Sequence, residues 1–427
     1  MAAHYIVKNV VFESGERFAQ LVDARTGIPL FDITVFTLTE FRSRNRASAT
    51  IEQVLRSLKI LVLFCDLNDI SLDERMRDGR LLEMGEIDAL VRLCRLSLEA
   101  IEAKFVCNTA NSGREQRPLA SLETYRVRTG AHPPEVAGES AGVRVRYIRQ
   151  YLGWLADRHL LHLHFQHPTH VALLRARNIV IPALDARVPS SKGRNKANAR
   201  KGLTEAVQRR LWQVIRPDAP DNPWVGEHAR VRNELIVRWF MGLGVRRGEL
   251  LGVKVGDVDL KKNEVFIARR ADDKSDPRNH QPNTKTADRL LVLSDDLAKR
   301  IREYVINVRR KIAVARQHPF LFVANGGQPL SIRGLNKIFI VLRQKCPDLP
   351  DDLFPHILRH TWNDNFSIKM DEQGVSPEHE SKIRSRLMGW NPTSKTAAIY
   401  QRRTVERMAR EASLKMQENM MRPENEI

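Results

Sequence analysis

Cysteine is scarce, and the four present (Cys65, Cys94, Cys107 and Cys346) are scattered over 427 residues without a CxxC pair. A disulfide framework and a structural zinc site are therefore not expected, which fits a reducing cytoplasm. No apolar run reaches membrane-spanning length before charges interrupt it. The start, Met1-Ala2-Ala3-His4-Tyr5, lacks a basic segment followed by an apolar core, so no secretory leader is expected. There is no internal repeat and no G-x-x-x-x-G-K-[ST] loop, which argues against a nucleotide-driven motor. Tyrosine is also rare, with six in the chain.

Acidic residues are outnumbered. Lys+Arg 70 against Asp+Glu 51 leaves +19, with a pI near 10.1. Such an excess suits a polyanion, because each neutralised phosphate releases counterions and strengthens association at low salt. Ribosome or membrane-surface binding would use the same charge, so it narrows the partner without naming a chemistry. Hydrophobic content of 42% and charged content of 28% are ordinary for a globular protein. The length calls for two or three domains.

Residues 1–35 read as a small β arm or hairpin. Tyr5 to Phe12 is strand-like, Glu13-Ser14-Gly15-Glu16 is a turn, Phe18 to Val22 returns, and Arg25-Thr26-Gly27-Ile28-Pro29 turns again. Such an element can reach DNA as an arm or dock on its own domain. Residues 36–185 read as a helical domain. Thr50 with Gln53 predicts a capping box, with Ile51, Val54, Leu55, Leu58, Leu61, Val62 and Cys65 following at helical spacing. A second helix is predicted over roughly Glu83 to Ala103, and another over Val143 to Leu161 with Arg144, Arg146 and Arg149 near its start. Those arginines are either a solvated face or a DNA contact.

Residues 186–202 mark a boundary. Lys192, Arg194, Lys196, Arg200 and Lys201 sit among Pro, Ser, Gly and Asn without an acid, so the stretch cannot bury a core and predicts a basic linker able to follow a phosphate backbone. A second domain opens at Leu203, with Thr204 as a good N-cap. Helices are predicted to Pro217 and from about Glu227 to Gly242. A glycine-marked turn at Gly244 then leads into a short helix, and the strand-like Glu264–Ala268 and Arg289–Leu293 make a small sheet.

Phosphate-handling groups recur in this second domain. His356 and Arg359, three apart on a helical stretch, share a face. A planar guanidinium forks onto two phosphate oxygens, and an imidazole adds a further donor. His360 lies four from His356, as in zinc proteases, but Ile357 stands where that motif needs Glu, so no metal site is expected. Arg246, with Arg247 beside it, and Lys285, with Lys274 in the same loop, are further cations on separate segments. Leu387-Met388-Gly389-Trp390 is followed by Ile399-Tyr400 on a predicted helix.

Four blocks in this order resemble the catalytic domain of the tyrosine recombinases, the phage integrase family. They are Gly244-Val245-Arg246-Arg247-Gly248-Glu249-Leu250, Thr284-Lys285-Thr286-Ala287-Asp288-Arg289, His356-Ile357-Leu358-Arg359-His360-Thr361, and Met388-Gly389-Trp390 leading to Tyr400. The resemblance covers residues 203–410. It implies a mainly α fold with a small antiparallel sheet in the catalytic domain, preceded by a helical core-binding domain, with a tail helix over residues 411–427. It further implies site-specific DNA strand breakage and rejoining through a 3′-phosphotyrosine, in a mobile-element integrase. Tyr400 would be the nucleophile, Arg246 and Arg359 the phosphate clamp, Lys285 the general acid, His356 the proton acceptor, and Trp390 an N–H donor where the family more often has histidine. Glu249 and His360 would support from behind. No metal or other cofactor is required. The partners would be double-stranded DNA recognition sites and a homotetramer spanning two duplexes, with related recombinases or accessory proteins, in a bacterial cytoplasm at the nucleoid.

Two departures from the family pattern stand out. Trp390 to Tyr400 is ten positions (400 − 390), which puts an extra residue near Asn391-Pro392-Thr393, and the acidic segment Asp371 to Glu380 is inserted after the His-x-x-Arg helix. Val405, Met408, Ala412, Met416 and Met420 trace an apolar stripe, expected to dock on a neighbouring protomer. The competing classes are a catalytically silent DNA-binding accessory protein of the same fold and a type IB topoisomerase.

Overall fold

The computed structural model describes residues 4–111, 134–189, 202–282, 284, 286–391, 409 and 412–417. Residue contacts divide the chain into two compact units. One comprises Met1–Phe12 with Arg17–Lys196, the other Glu13–Glu16 with Ala197–Ile427. Both are mainly helical, each with a small antiparallel sheet.

In the first unit β1 (Tyr5–Val11) pairs with β2 (Arg17–Asp23), running from Tyr5↔Asp23 to Val11↔Arg17. Phe18, Ala19 and Leu21 of β2 are buried in the same core as the helices, so the hairpin is a layer of this unit and not a free arm. Helices α1 (Phe31–Thr37), α2 (Ser48–Leu67), α3 (Leu72–Arg77), α4 (Met84–Cys94), α5 (Leu98–Asn111), α6 (Gly138–Leu161) and α7 (Pro168–Ala186) follow. The apolar series from Ile51 to Leu61 does line the buried face of α2, but the helix begins earlier, after Ala47. Thr50 therefore sits inside the first turn and caps nothing. The long helix expected over 83–103 is two helices, because the chain turns at Leu96, which bridges to Glu135. Its start is capped reciprocally by Glu83 and Glu86. Helix α7, without a strong apolar periodicity and with Pro182 inside it, was not predicted.

In the second unit Thr204 is an N-cap, as its sequence position predicts: it accepts from the Val207 N–H at the start of α8 (Glu205–Val214). Then come α9 (Glu227–Leu243), α10 (Arg247–Gly252), and the sheet β3 (Val258–Asp259), β4 (Glu264–Ile267) and β5 (Arg289–Val292) in that order. Helices α11 (Asp295–Glu303), α12 (Ile332–Lys345), α13 (Pro355–Glu372) and α14 (Pro377–Met388) complete it. Leu235, Ile236, Trp239 and Phe240 on α9 are fully buried, making α9 the central helix against which α13 packs. The entering chain is fastened to α13, where Thr361 Oγ1 accepts from the Leu203 N–H at 2.8 Å and Asp364 from the Gly202 N–H at 2.9 Å. The acidic segment Asp371 to Glu380 covers the end of α13, the α13–α14 turn with Gly374 at φ +66°, and the start of α14. No helix among the described residues is long and apolar enough to cross a membrane.

Candidate active site

Two helices of the second unit end on glycines in the left-handed region, and each end delivers a predicted site residue. Gly244 (φ +58°) terminates α9 two residues before Arg246, and Gly389 (φ +63°) terminates α14 immediately before Trp390. A Cβ at Gly244 would stand 2.8 Å from both Met388 Cε and Trp362 Cδ2, so the two turns pack together closely enough to require glycine.

Arg246 is the N-cap of α10, and its own N–H donates to Glu249 Oε2 at 2.9 Å. Its guanidinium reaches Glu249 Oε1 at 3.4 Å while remaining about a third exposed (34%), whereas the Glu249 side chain is fully buried. Arg247, the alternative in that pair, points to Asn336 on α12 at 3.1 Å and is exposed. The G-x-R register is thus the one that brings an arginine to the buried carboxylate.

Glu249 is the hub. It accepts from Arg246, from Thr286 Oγ1 at 2.6 Å, and from Arg289 Nη2 at 2.7 Å. Burial pushes its carboxyl toward the neutral form. The nearby Arg289 and Arg359 charges and the Arg289 and Thr286 hydrogen bonds outweigh this, lowering its pKa to about 2. Arg289 in turn donates to the Leu387 carbonyl at 2.7 Å and to Thr286 Oγ1 at 3.2 Å. Sequence reading assigned Arg289 no role. Its signal was strand alternation: Arg289 is in phase with the buried Leu291, and an inward arginine demands a partner.

Helix α13 carries the His-x-x-Arg motif. Arg359 is buried and donates to the Gly244 carbonyl, and its guanidinium lies 5.6 Å from the Trp390 ring centroid. His356, one turn earlier, is exposed, and its ring stacks on that of His360 at 4.6 Å with 13° between planes. Stacked rings do not aim their nitrogens at a common point, so the pair does not have the geometry of a metal chelate. Trp390 is buried beside Met388 and Trp362, and the Trp362 indole N–H donates to the Gly242 carbonyl at 3.0 Å.

Arg246, Glu249, Arg359 and Trp390, contributed by three separated segments, are thus joined through direct contacts or through Gly244. His356 stands at the edge of this cluster. Lys285 and Tyr400 lie outside the described residues, although the flanking Thr284 and Thr286 are buried.

Residues 203–407 match the phage integrase family. That segment belongs to the family, the tyrosine recombinases. The chain is 24% identical over 314 residues to tyrosine recombinase XerA of Thermococcus kodakarensis, covering 68% of this chain and 92% of that protein. To tyrosine recombinase XerC of Roseiflexus castenholzii it is 29% identical over 174 residues, 40% of this chain and 47% of that one. The chain therefore spans nearly all of one relative and under half of the other. Among solved structures it is similar to XerH site-specific recombinase bound to palindromic difH substrate, with TM-score 0.41, 14% identity, and 85% and 95% of the two chains covered.

Of the recombinase's predicted DNA contacts, Arg144 is committed to its own unit. Its guanidinium donates to the carbonyls of Cys94 (3.0 Å) and Leu96 (2.6 Å), closing the α4–α5 turn, and burial lowers its pKa. That corrects the expectation of a phosphate contact. Arg146 is exposed and, with Arg149, lines a groove of about 810 Å³ along α6 that also includes Tyr147, Trp154 and Arg177. Arg149 also pairs with Asp185. Lys192, Arg194, Lys196, Arg200 and Lys201 lie outside the described residues.

Proposed function

We propose that this protein cuts and rejoins double-stranded DNA at specific sites through a 3′-phosphotyrosine intermediate, integrating or excising a mobile genetic element. The observation that carries the reading is the buried Glu249–Arg359–Trp390 cluster with Arg246 on its exposed rim. It holds two guanidiniums in place before any phosphate arrives, which is what stabilising the extra charge of a phosphoryl-transfer transition state requires. A lysine in either place would lack the fork.

In this reading Tyr400 attacks the scissile phosphorus, and its phenolic proton passes to His356. The bond to the 5′ oxygen breaks as Lys285 supplies that oxygen with a proton. The phosphotyrosine conserves the bond, and a 5′-hydroxyl from a second duplex reverses the step. Arg246 and Arg359 hold the non-bridging oxygens, the Trp390 N–H donates alongside them, and Glu249 and His360 hold these groups in position. Basic residues Lys192, Arg194, Lys196, Arg200 and Lys201 follow the backbone between domains, and Arg146 and Arg149 contact it from the helical unit. The working assembly is a homotetramer on two duplexes, aided by related recombinases or accessory proteins at the nucleoid.

The test is a covalent-trapping assay. A duplex library selected by binding supplies the site, and a nick beside the cleavage position lets the short strand leave. The wild type should form an adduct that survives denaturation, and Tyr400→Phe should form none. No adduct from the wild type would leave a DNA-binding protein without cleavage, and an adduct surviving Tyr400→Phe would remove Tyr400 from the mechanism.

A further inference from the structure

The Gly244 carbonyl and the Trp390 ring, against which Arg359 is held, both rest on a neighbour in its own helix. Trp362 lies three residues after Arg359, on the same face of α13. Its indole N–H donates to the Gly242 carbonyl at 3.0 Å, which ties the ring to the end of α9. A Cβ on Gly244 would stand 2.8 Å from Trp362 Cδ2, 3.0 Å from its Cγ and 2.8 Å from Met388 Cε. The indole therefore lies directly against the turn whose carbonyl accepts from Arg359. It also packs on the Met388–Trp390 pair, and the Trp390 ring is the one beneath the Arg359 guanidinium. Phe366, one turn further along α13, stacks on the indole at 5.1 Å with 12° between planes.

We infer that Trp362 is a positioning residue for the phosphate clamp: it sets the Gly244 carbonyl and the Trp390 ring where together they aim the Arg359 fork. The inference rests on the assignment of Arg359 to the clamp proposed above. A wide flat ring with a donor at its edge is needed, because one side chain must reach a carbonyl on α9 and still back a turn and a second indole. Without it both turns keep their own backbone bonds, from the Gly244 N–H to the Phe240 carbonyl at 3.2 Å and from the Trp390 N–H to the Ser385 carbonyl at 2.9 Å. The turns survive, while the spacer that sets them against Arg359 is lost.

A scissile methylphosphonate, in which a methyl group replaces one non-bridging oxygen, separates aim from folding. The linkage is neutral, so its transition state carries less negative charge and depends less on a second guanidinium. A misaimed clamp therefore slows cleavage of the phosphodiester and hardly that of the methylphosphonate. Single-turnover loss of the intact strand is measured on nicked duplexes of both kinds for wild type, Arg359→Ala and Trp362→Leu, with gel shift as the check on folding. Each variant is compared with wild type on the same substrate. Arg359→Ala should fall about 100-fold or more on the phosphodiester and about tenfold at most on the methylphosphonate. Trp362→Leu should lose about tenfold or more on the phosphodiester and remain within about threefold of wild type on the methylphosphonate. Equal losses of Trp362→Leu on both substrates, or no loss on the phosphodiester, would overturn the inference. An Arg359→Ala deficit of the same size on both would instead overturn the assignment of Arg359, and the inference with it. Should Trp362→Leu fail to fold, Trp362→Phe keeps a ring against Phe366 and removes the N–H to Gly242, and the same pattern is expected of it.

Discussion

Arg359 and Trp390 face each other, the guanidinium carbon 5.6 Å from the indole centroid and both side chains buried. A desolvated cation over an aromatic face is held by about 2 kcal/mol. The contact also fixes the plane in which the fork meets phosphate. Trp390→Phe keeps a ring there and removes the N–H, whereas Trp390→Ala removes both and opens a cavity beside Met388 and Trp362. Adduct formation is expected to fall about tenfold for Phe and by about a further tenfold for Ala. Equal losses in single-turnover cleavage would assign the whole effect to the N–H.

Arg359→Lys tests the fork itself. One Nη of Arg359 is engaged with the Gly244 carbonyl, and a lysine making that bond has no second nitrogen for phosphate. Cleavage should fall by about 100-fold or more, while affinity for the selected duplex changes by less than about threefold, because the site is one contact among many. A parallel loss of affinity in the gel shift would make Arg359 a binding residue instead.

How much of this was legible beforehand depended on whether a residue's partners are near in sequence. Thr204 caps its own helix and the G-x-R-x-x-E block closes on itself, so local spacing revealed both. Arg289 was overlooked because its partners come from Glu249, Thr286 and Leu387, up to 98 positions away. Arg144 failed in the opposite direction. A basic residue near a helix start reads as surface, and only the fold shows that two carbonyls of the α4–α5 turn need its donors. Thr50 was misplaced because Ser48, Ala49 and Thr50 all tolerate a first turn, and no side chain caps the true start.

Glu249 makes stability depend on acid. Its pKa in the folded chain is about 2 against an ordinary 4.5, so the unfolded chain takes up the proton first as pH falls. The stabilisation is fully present above about pH 4.5 and lost as pH falls through 2, on the order of 3 kcal/mol. Denaturant unfolding followed between pH 5 and about pH 2.5 should steepen accordingly, and Glu249→Gln should lack that part of the slope. An unchanged slope in the variant would mean that other carboxylates carry the acid response.

The α14 helix that positions Trp390 is held to α13 through Ser367, which bonds both members of a buried ion pair lying within α14. Arg384 (0% exposed) pairs with Glu380 (3%), and Ser367 on α13 bonds both: its hydroxyl donates to Glu380 at 2.9 Å and accepts from Arg384 at 2.6 Å. Removing one partner strands the other charge out of water, which costs about 3–5 kcal/mol, whereas replacing both with apolar side chains of similar volume is often close to neutral. Arg384→Met and Glu380→Met should each lower the denaturation midpoint strongly, and the double variant should recover most of the loss. If the pair only fastens α14, the double variant should also recover adduct formation. Recovered stability without recovered cleavage would show that these charges are needed in the reaction beyond holding the helix.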